Sequence, residues 1–168
     1  MKKRLFLLLA LLVLLTGCAG ANNEDRGERT LACTLLIECE TALQSSDLDV
    51  DGAVRAVLPE SGVILEQSVA FAEGESVFDV LQRACRDAGV AMEFSDTPVY
   101  HSAYIEGIGH LYEFDCGSGS GWMYSVNGEY PNFGCSRYTL KDGDAVAWRY
   151  TCDYGADLGH PGGQALDE

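Results

Sequence analysis

One segment decides the fold: Ser76-Val-Phe-Asp-Val-Leu-Gln-Arg-Ala-Cys-Arg-Asp-Ala-Gly89. Its apolar residues recur at helical spacing on one face, and they are Val77, Val80, Leu81, Ala84, Cys85 and Ala88. Ser76 and Asp79 have the spacing of a capping box, which begins a helix, and Gly89 favours the left-handed conformation that ends one. The segment therefore predicts one main amphipathic helix over residues 76–88, with its apolar face packed on a sheet.

Alternating apolar residues on both sides of this helix predict strands. Cys33, Leu35, Ile37 and Cys39 share one face of a first strand, and residues 63–71 alternate along a second. Further strand-like runs follow around residues 92–94, 111–114, 122–126 and 146–152, whereas residues 41–62 are predicted to form a long loop. This order predicts an α+β fold, a β-grasp-like mixed sheet in which the first and last strands are parallel neighbours.

The N-terminal segment has the pattern of a bacterial lipoprotein signal. Lys2, Lys3 and Arg4 precede an apolar run at residues 5–15, and small residues stand directly before Cys18. We therefore expect a signal peptide over residues 1–17 and a lipid on the Cys18 sulfur. Residues 18–30 would form a lipidated tether, residues 31–153 the folded domain and residues 154–168 a flexible tail. The expected location is the extracytoplasmic face of the cell membrane.

The charge of the chain excludes one class of function. The sequence has 26 acidic residues against 11 Lys and Arg, a net charge of −15. Nucleic-acid binding depends on basic contacts to phosphate, so it is not expected. An acidic domain is also repelled by an anionic bilayer, and the lipid would be its only attachment to the membrane.

Six cysteines follow Cys18, and in an exported domain an even number predicts up to three disulfides. Parallel first and last strands would bring Cys39 close to Cys152. Cys116 and Cys135 bracket the run at residues 122–126 and could close it. The candidate pairs are therefore Cys116–Cys135 and Cys39–Cys152. The two cysteines that remain give the third candidate pair, Cys33–Cys85.

Several short motifs, in this order and spacing, resemble the transcobalamin-like C-terminal domain family. They are residues 76–81, Tyr104-Ile105 before Gly107, Gly121-Trp-Met-Tyr-Ser-Val-Asn-Gly128, Gly134-Cys-Ser-Arg-Tyr138 and Lys141-Asp-Gly-Asp144. The family fold is β-grasp-like, and in the vitamin carriers this domain closes over one face of cobalamin. The resemblance implies a protein that captures cobalamin or a related corrinoid for delivery to a membrane importer. The carriers also have a large helical domain, for which the residues after Gly17 leave no room.

Aromatic residues are concentrated in the second half of the chain. All eight Tyr and both Trp lie between Tyr100 and Tyr154. Such side chains suit a flat amphipathic ligand because each combines a large apolar face with a polar group. The predicted ligand-binding residues are Trp122, Tyr124, Tyr130, Tyr104 and Tyr112, around an Asn127-Gly128 pair that favours a type I′ hairpin turn. Trp148 is expected to be a core residue instead. Trp122 could equally be a core residue or a ligand-binding residue.

Other functions have weaker support in the sequence. Asp47, Asp49 and Asp51 match the start of a calcium loop, but its twelfth position is Leu58 instead of Glu, so no metal site is expected. No catalytic motif is present, which predicts a protein that is not an enzyme and needs no cofactor. The alternative to corrinoid binding is a surface module that binds protein or glycan and takes no small molecule.

Overall fold

The computed structural model describes residues 30–48, 52–98 and 101–160. The predicted signal peptide, residues 18–29 of the tether and residues 161–168 lie outside the described residues. Along the chain the elements are β1 (Leu31–Glu38), α1 (Glu40–Gln44), β2 (Val63–Phe71), α2 (Val77–Ala88), β3 (Met92–Thr97), β4 (Ser102–Ile108), β5 (Leu111–Tyr112), β6 (Gly121–Val126) and β7 (Ala145–Thr151), with 3-10 turns at Cys135–Arg137 and Ala156–Leu158.

A mixed four-stranded sheet, in the order β2-β1-β7-β6, forms the centre of the fold. The first and last strands, β1 and β7, run parallel side by side, with Ile37 opposite Trp148. The outer strands β2 and β6 pair antiparallel to them. The predicted α+β class and the β-grasp-like arrangement are therefore confirmed.

Helix α2 covers one face of this sheet, and both of its ends follow the sequence signals. The Ser76 hydroxyl accepts a hydrogen bond from the Asp79 amide at 3.2 Å, and the Asp79 carboxylate accepts one from the Ser76 amide at 2.8 Å. Gly89 ends the helix at φ 69°. The apolar face of α2 and the inward-facing side chains of the sheet are buried against each other in one hydrophobic core. Each of these two apolar surfaces would be exposed to water without the other.

A second sheet, in the order β3-β4-β5, lies beside the first one. Strand β4 was not among the strands predicted from the sequence. The alternation of apolar and polar residues along β4 is interrupted by Gly107. A Cβ atom at this position would lie 2.5 Å from the ring of Tyr112. The glycine breaks the hydrophobic pattern, but the close approach of this ring requires it.

The long loop predicted over residues 41–62 contains the short helix α1, so that prediction was wrong for residues 41–44. One turn of helix is too short to show a hydrophobic period. Tertiary contacts hold it instead: Ala42 is fully buried, and the Thr41 hydroxyl donates a hydrogen bond to the carbonyl of Tyr150.

The predicted tail begins with a segment that is bonded to β7. The Asp157 carboxylate accepts hydrogen bonds from the Thr151 hydroxyl at 2.5 Å and from the Cys152 amide at 2.8 Å. These bonds hold the 3-10 turn Ala156–Leu158 against the end of the last strand. Within the described residues, no helix is long and apolar enough to cross a bilayer.

The six described cysteines are all free thiols, and none of the predicted disulfides is formed. The neighbours also differ from the predicted pairs. The Cys135 thiol donates to the carbonyl of Ala103, with 3.6 Å between sulfur and oxygen. Cys116, its predicted partner, instead lies near Cys152, because the turn before β6 packs on the end of β7. Cysteine spacing does not show how the segment before β6 folds, so the sequence alone cannot decide which thiols lie close together.

Candidate functional site: an aromatic groove

A groove runs between β4, β6 and the segment from Tyr130 to Cys135. Its deeper part has a volume of about 220 Å³, and the adjoining outer part has a volume of about 390 Å³. The two parts share Ala103, Tyr104, Pro131 and Gly134 as lining residues. We call it the aromatic groove, after the rings that line it: Tyr104, Trp122, Tyr124, Tyr130, Pro131 and Phe133.

A tight turn brings the segment at Tyr130 back along β6. Asn127 and Gly128 have φ values of 54° and 84°, as the two central residues of a type I′ turn require. The Asn127 amide group donates to the Asp144 carboxylate at 2.9 Å, and its oxygen accepts from the Ala145 amide at 2.9 Å. The predicted hairpin turn is therefore present, and it is fastened to the start of β7.

Two serines join the outer wall of the groove to β4. The Ala103 amide donates to the Ser136 hydroxyl at 3.0 Å, and the Ser136 amide donates to the Ser102 hydroxyl at 3.2 Å. Between them, Gly134 approaches β4 so closely that a Cβ there would lie 2.1 Å from the Ser102 oxygen. Only glycine allows this approach, which sets the width of the groove.

The floor of the groove is made of rings from β6 and β7. Trp122 is 9% exposed, and its indole nitrogen donates to the Leu111 carbonyl at 2.9 Å. Tyr124 is half-buried and donates its hydroxyl to the Phe133 carbonyl at 2.7 Å. Burial raises the pKa of Tyr124, so its phenol remains a neutral donor at physiological pH. Trp122 is therefore mainly a packing residue with one edge at the groove.

Trp148 also lines the deeper part of the groove, and it carries a buried donor that is not satisfied. The residue is 2% exposed and packs on Tyr124 with 5.4 Å between ring centroids. Its indole nitrogen has no hydrogen-bond partner among the residues described. Leaving a buried donor unpaired costs about 1–3 kcal/mol, so this nitrogen is a polar group that the packing around Trp148 does not satisfy.

The rim of the groove is open to solvent. Tyr104 and Phe133 are 44% and 39% exposed, and the Arg137 guanidinium lies 6.0 Å from the centre of the Phe133 ring. Burial of its phenol and a hydrogen bond to Glu113 raise the pKa of Tyr104 to about 12. Exposed ring faces beside one cation are suited to a flat ligand with mixed polar and apolar surface.

Four of the five predicted ligand residues line this groove: Tyr104, Trp122, Tyr124 and Tyr130. Tyr112 does not, because it lies on β5, where its hydroxyl donates to Glu93 at 2.6 Å. Their role in binding stays a prediction.

Sequence reasoning missed Pro131 and Phe133, and it placed Trp148 only in the core. The run from Tyr130 to Gly134, directly after the predicted turn, was the available signal for the first two. No local pattern marks a core tryptophan that also borders a cavity.

The acidic residues suggested for calcium cannot be assessed as a group. Asp47 is described and exposed, whereas Asp49 and Asp51 lie outside the described residues. Among residues 30–48, 52–98 and 101–160, no cluster of three or more His, Cys, Asp or Glu side chains could hold a metal ion.

A larger cavity of about 710 Å³ lies between the end of β2 and α2. Two of its charged residues, Arg83 and Glu75, are paired with each other. Arg83 donates to the Glu75 carboxylate and, at 2.8 Å, to the Ala70 carbonyl, while Glu75 also accepts from the Ala72 amide at 2.7 Å. Because these two residues are paired, this cavity is a weaker candidate site than the aromatic groove.

The fold and the groove together define a small β-grasp-like domain with an open aromatic cleft. Residues 74–152 match a family model described as "Domain of unknown function (DUF4430)", which covers α2 to the end of β7. No curated protein sequence matches the chain.

Solved structures that are similar to this chain include the following two. One is haptocorrin in complex with Cbi, with a TM-score of 0.50 and 12% identity over 71% of this chain. The match covers 25% of the haptocorrin chain, so this protein spans about a quarter of that length. The other comes from Ruminococcus gnavus ATCC 29149 and is named "putative metal binding protein", with a TM-score of 0.43, 15% identity and coverage of 72% and 96% of the two chains. At these identities the likeness to haptocorrin shows a related fold, as the resemblance to transcobalamin-like domains implied.

Proposed function

We propose that this protein binds a flat amphipathic small molecule in the aromatic groove, and that the ligand is cobalamin or a related corrinoid. The observation that carries the proposal is the groove lined by Tyr104, Trp122, Tyr124 and Tyr130, with the exposed ring of Tyr104 at its rim. The fold shared with haptocorrin, whose solved complex contains Cbi, supports the choice of ligand class.

The size of the groove limits how such a ligand is held. The deeper part, at about 220 Å³, is smaller than the roughly 300–1,000 Å³ typical of sites that enclose a ligand. A corrinoid would therefore rest on the rim formed by Tyr104 and Phe133 and insert only a side group towards Trp148. Contact with one face of the ligand predicts an affinity in the micromolar range.

The proposed role is binding without catalysis and without a resident cofactor. Three buried thiols, those of Cys39, Cys85 and Cys135, are poor nucleophiles near neutral pH, since burial raises their pKa values to about 11. The Tyr104 phenol, with a pKa of about 12, likewise stays protonated. These groups suit recognition better than proton transfer.

The binding experiment uses the full-length chain, purified in mild detergent, with cyanocobalamin and cobinamide as probes. We expect co-elution of the coloured ligand on gel filtration and a calorimetric Kd in the micromolar range. Tyr104→Ala removes an exposed ring from the rim and should weaken binding about tenfold. Tyr154→Ala is the matched control, because Tyr154 is 57% exposed and does not line the groove. No heat and no co-elution, or equal losses in both variants, would refute the proposal.

A second candidate function rests on exposed rings outside the groove. Phe114 and Tyr154 are 60% and 57% exposed, and both are bonded to the turn before β6. The Phe114 amide donates to the Ser120 carbonyl at 3.2 Å, and the Tyr154 amide donates to the Gly119 carbonyl at 2.8 Å. Two exposed rings at one end of a domain fit a surface that binds protein or glycan. A partner that is lost with Phe114→Ala and retained with Tyr104→Ala would favour this function.

The proposed cellular setting is the extracytoplasmic face of the membrane, with Cys18 as the lipidated residue and an importer as the partner that receives the ligand. Cys18 lies outside the described residues. Cys18→Ser should move the protein from the membrane fraction to the soluble fraction and abolish incorporation of labelled palmitate. Retention of the variant in the membrane fraction would contradict the lipid anchor.

A further inference from the structure

The turn before β6 packs on the chain that leaves β7. In the β6–β7 ladder Gly121 lies opposite Thr151, so Ser120 and Cys152 are the next residues beyond this pair. The Cys116 amide donates to the Ser120 hydroxyl at 3.0 Å, and the Tyr154 amide donates to the Gly119 carbonyl at 2.8 Å. These bonds place the turn at residues 116–120 directly against residues 152–154.

Two thiols meet in this contact. Cys116 is 3% exposed and Cys152 is half-buried. Burial is the largest influence on the pKa of each thiol, and the other thiol is the next largest. The other nearby thiol, Cys39, is directed elsewhere, since its sulfur donates to the Gly62 carbonyl at 3.4 Å. The Cys135 thiol donates a hydrogen bond to the carbonyl of Ala103 on β4.

We propose that Cys116 and Cys152 form a disulfide when the protein meets an oxidising disulfide such as glutathione disulfide. The more accessible Cys152 thiolate attacks the oxidant, giving a mixed disulfide and releasing one glutathione thiol. Cys116 then attacks the Cys152 sulfur and releases the second glutathione. Two protein thiols are oxidised to one disulfide, one glutathione disulfide is reduced to two thiols, and the two protons of the cysteines end on the released thiols.

The bond would close the chain from residue 116 to residue 152. This loop contains β6, the turn at Asn127 and the whole outer wall of the aromatic groove, so it includes every groove ring except Tyr104. A disulfide between the ends of this loop would lower the conformational entropy of the unfolded chain and would thereby stabilise the folded state. The assignment replaces the predicted pairs Cys116–Cys135 and Cys39–Cys152, and it does not depend on which ligand the groove takes.

Disulfide mapping of the full-length chain tests the assignment. The reduced protein in mild detergent is treated with glutathione disulfide, its remaining thiols are blocked with N-ethylmaleimide, and it is digested with trypsin and chymotrypsin together. Chymotrypsin is needed because no Lys or Arg lies between Cys116 and Cys135. We expect mass spectrometry to find Cys116 linked to Cys152, with a rise of about 10 °C in melting temperature.

Variants make the test specific. Cys116→Ser and Cys152→Ser should each abolish both the linked peptide and the gain in melting temperature. Cys85→Ser, which removes a buried thiol from α2, should retain both. A link of Cys116 to Cys39 or Cys135, or no link after prolonged oxidation, would overturn the proposal. Mapping of the unsubstituted chain decides the matter even if a serine variant does not fold.

Discussion

Replacing Asn127 tests whether the turn that positions the groove wall is held by its backbone conformation, its side chain or both. Asn127→Gly keeps easy access to the observed φ of 54° but removes the bonds to Asp144 and Ala145, each 2.9 Å long. At about 1 kcal/mol for each bond, we expect a loss of about 2 kcal/mol in the free energy of unfolding. Asn127→Ala loses the same bonds and adds a Cβ strained at positive φ, about 1 kcal/mol more.

Equilibrium unfolding in urea measures both differences, with m values that should match the unsubstituted protein. Asn132→Ala, at an exposed position in the same region, serves as the control and should cost less than about 0.5 kcal/mol. The reasoning is refuted if the glycine variant is as stable as the unsubstituted protein. Equal losses in the Gly and Ala variants would refute the part that concerns backbone strain.

Three further outcomes follow from single contacts. Ser76→Ala removes the cap of α2 and should cost about 1 kcal/mol of unfolding free energy, measured in urea. Glu75→Gln should cost about 1 kcal/mol at pH 7, because a hydrogen bond from Arg83 lowers the pKa of Glu75 below 4.5. Cys85 and Cys135, with pKa values of about 11, should react with thiol reagents at pH 8 at least about 100-fold more slowly in the native protein than in urea.

Each of these outcomes has its own control. For the helix cap it is Ser118→Ala at an exposed turn position, and equal losses would show that the cap contributes nothing. For Glu75 the control is a change of pH. A carboxyl group whose pKa is lowered in the folded state stabilises the protein at pH values above its unfolded pKa of 4.5, and this stabilisation is lost as the pH falls through the folded pKa. A difference between the Gln variant and the parent that persists at pH 2 would contradict the ion pair. Rapid labelling of both cysteines in the native protein would contradict their burial.

Sequence alone determined the parts of the fold that depend on neighbours along the chain. Helix α2 could be predicted with its cap at Ser76 and its end at Gly89, because periodicity and capping act within a few residues. The turn at Asn127-Gly128 could also be predicted, since few residue pairs tolerate two positive φ values. Helix α1 could not, because a single helical turn has no period of its own.

Tertiary structure alone decided which rings form the groove and which thiols meet. Tyr104 and Tyr112 both lie on the three-stranded sheet, but strand pairing places Tyr104 at the groove and Tyr112 against Gly107 of β4. Trp148 is a core residue by its pattern, and only the packing around it shows that its donor is unpaired. Cys116 and Cys152 meet because the turn before β6 packs on the end of β7. Contacts between segments far apart along the chain depend on how the whole chain packs, and a local pattern does not contain that information.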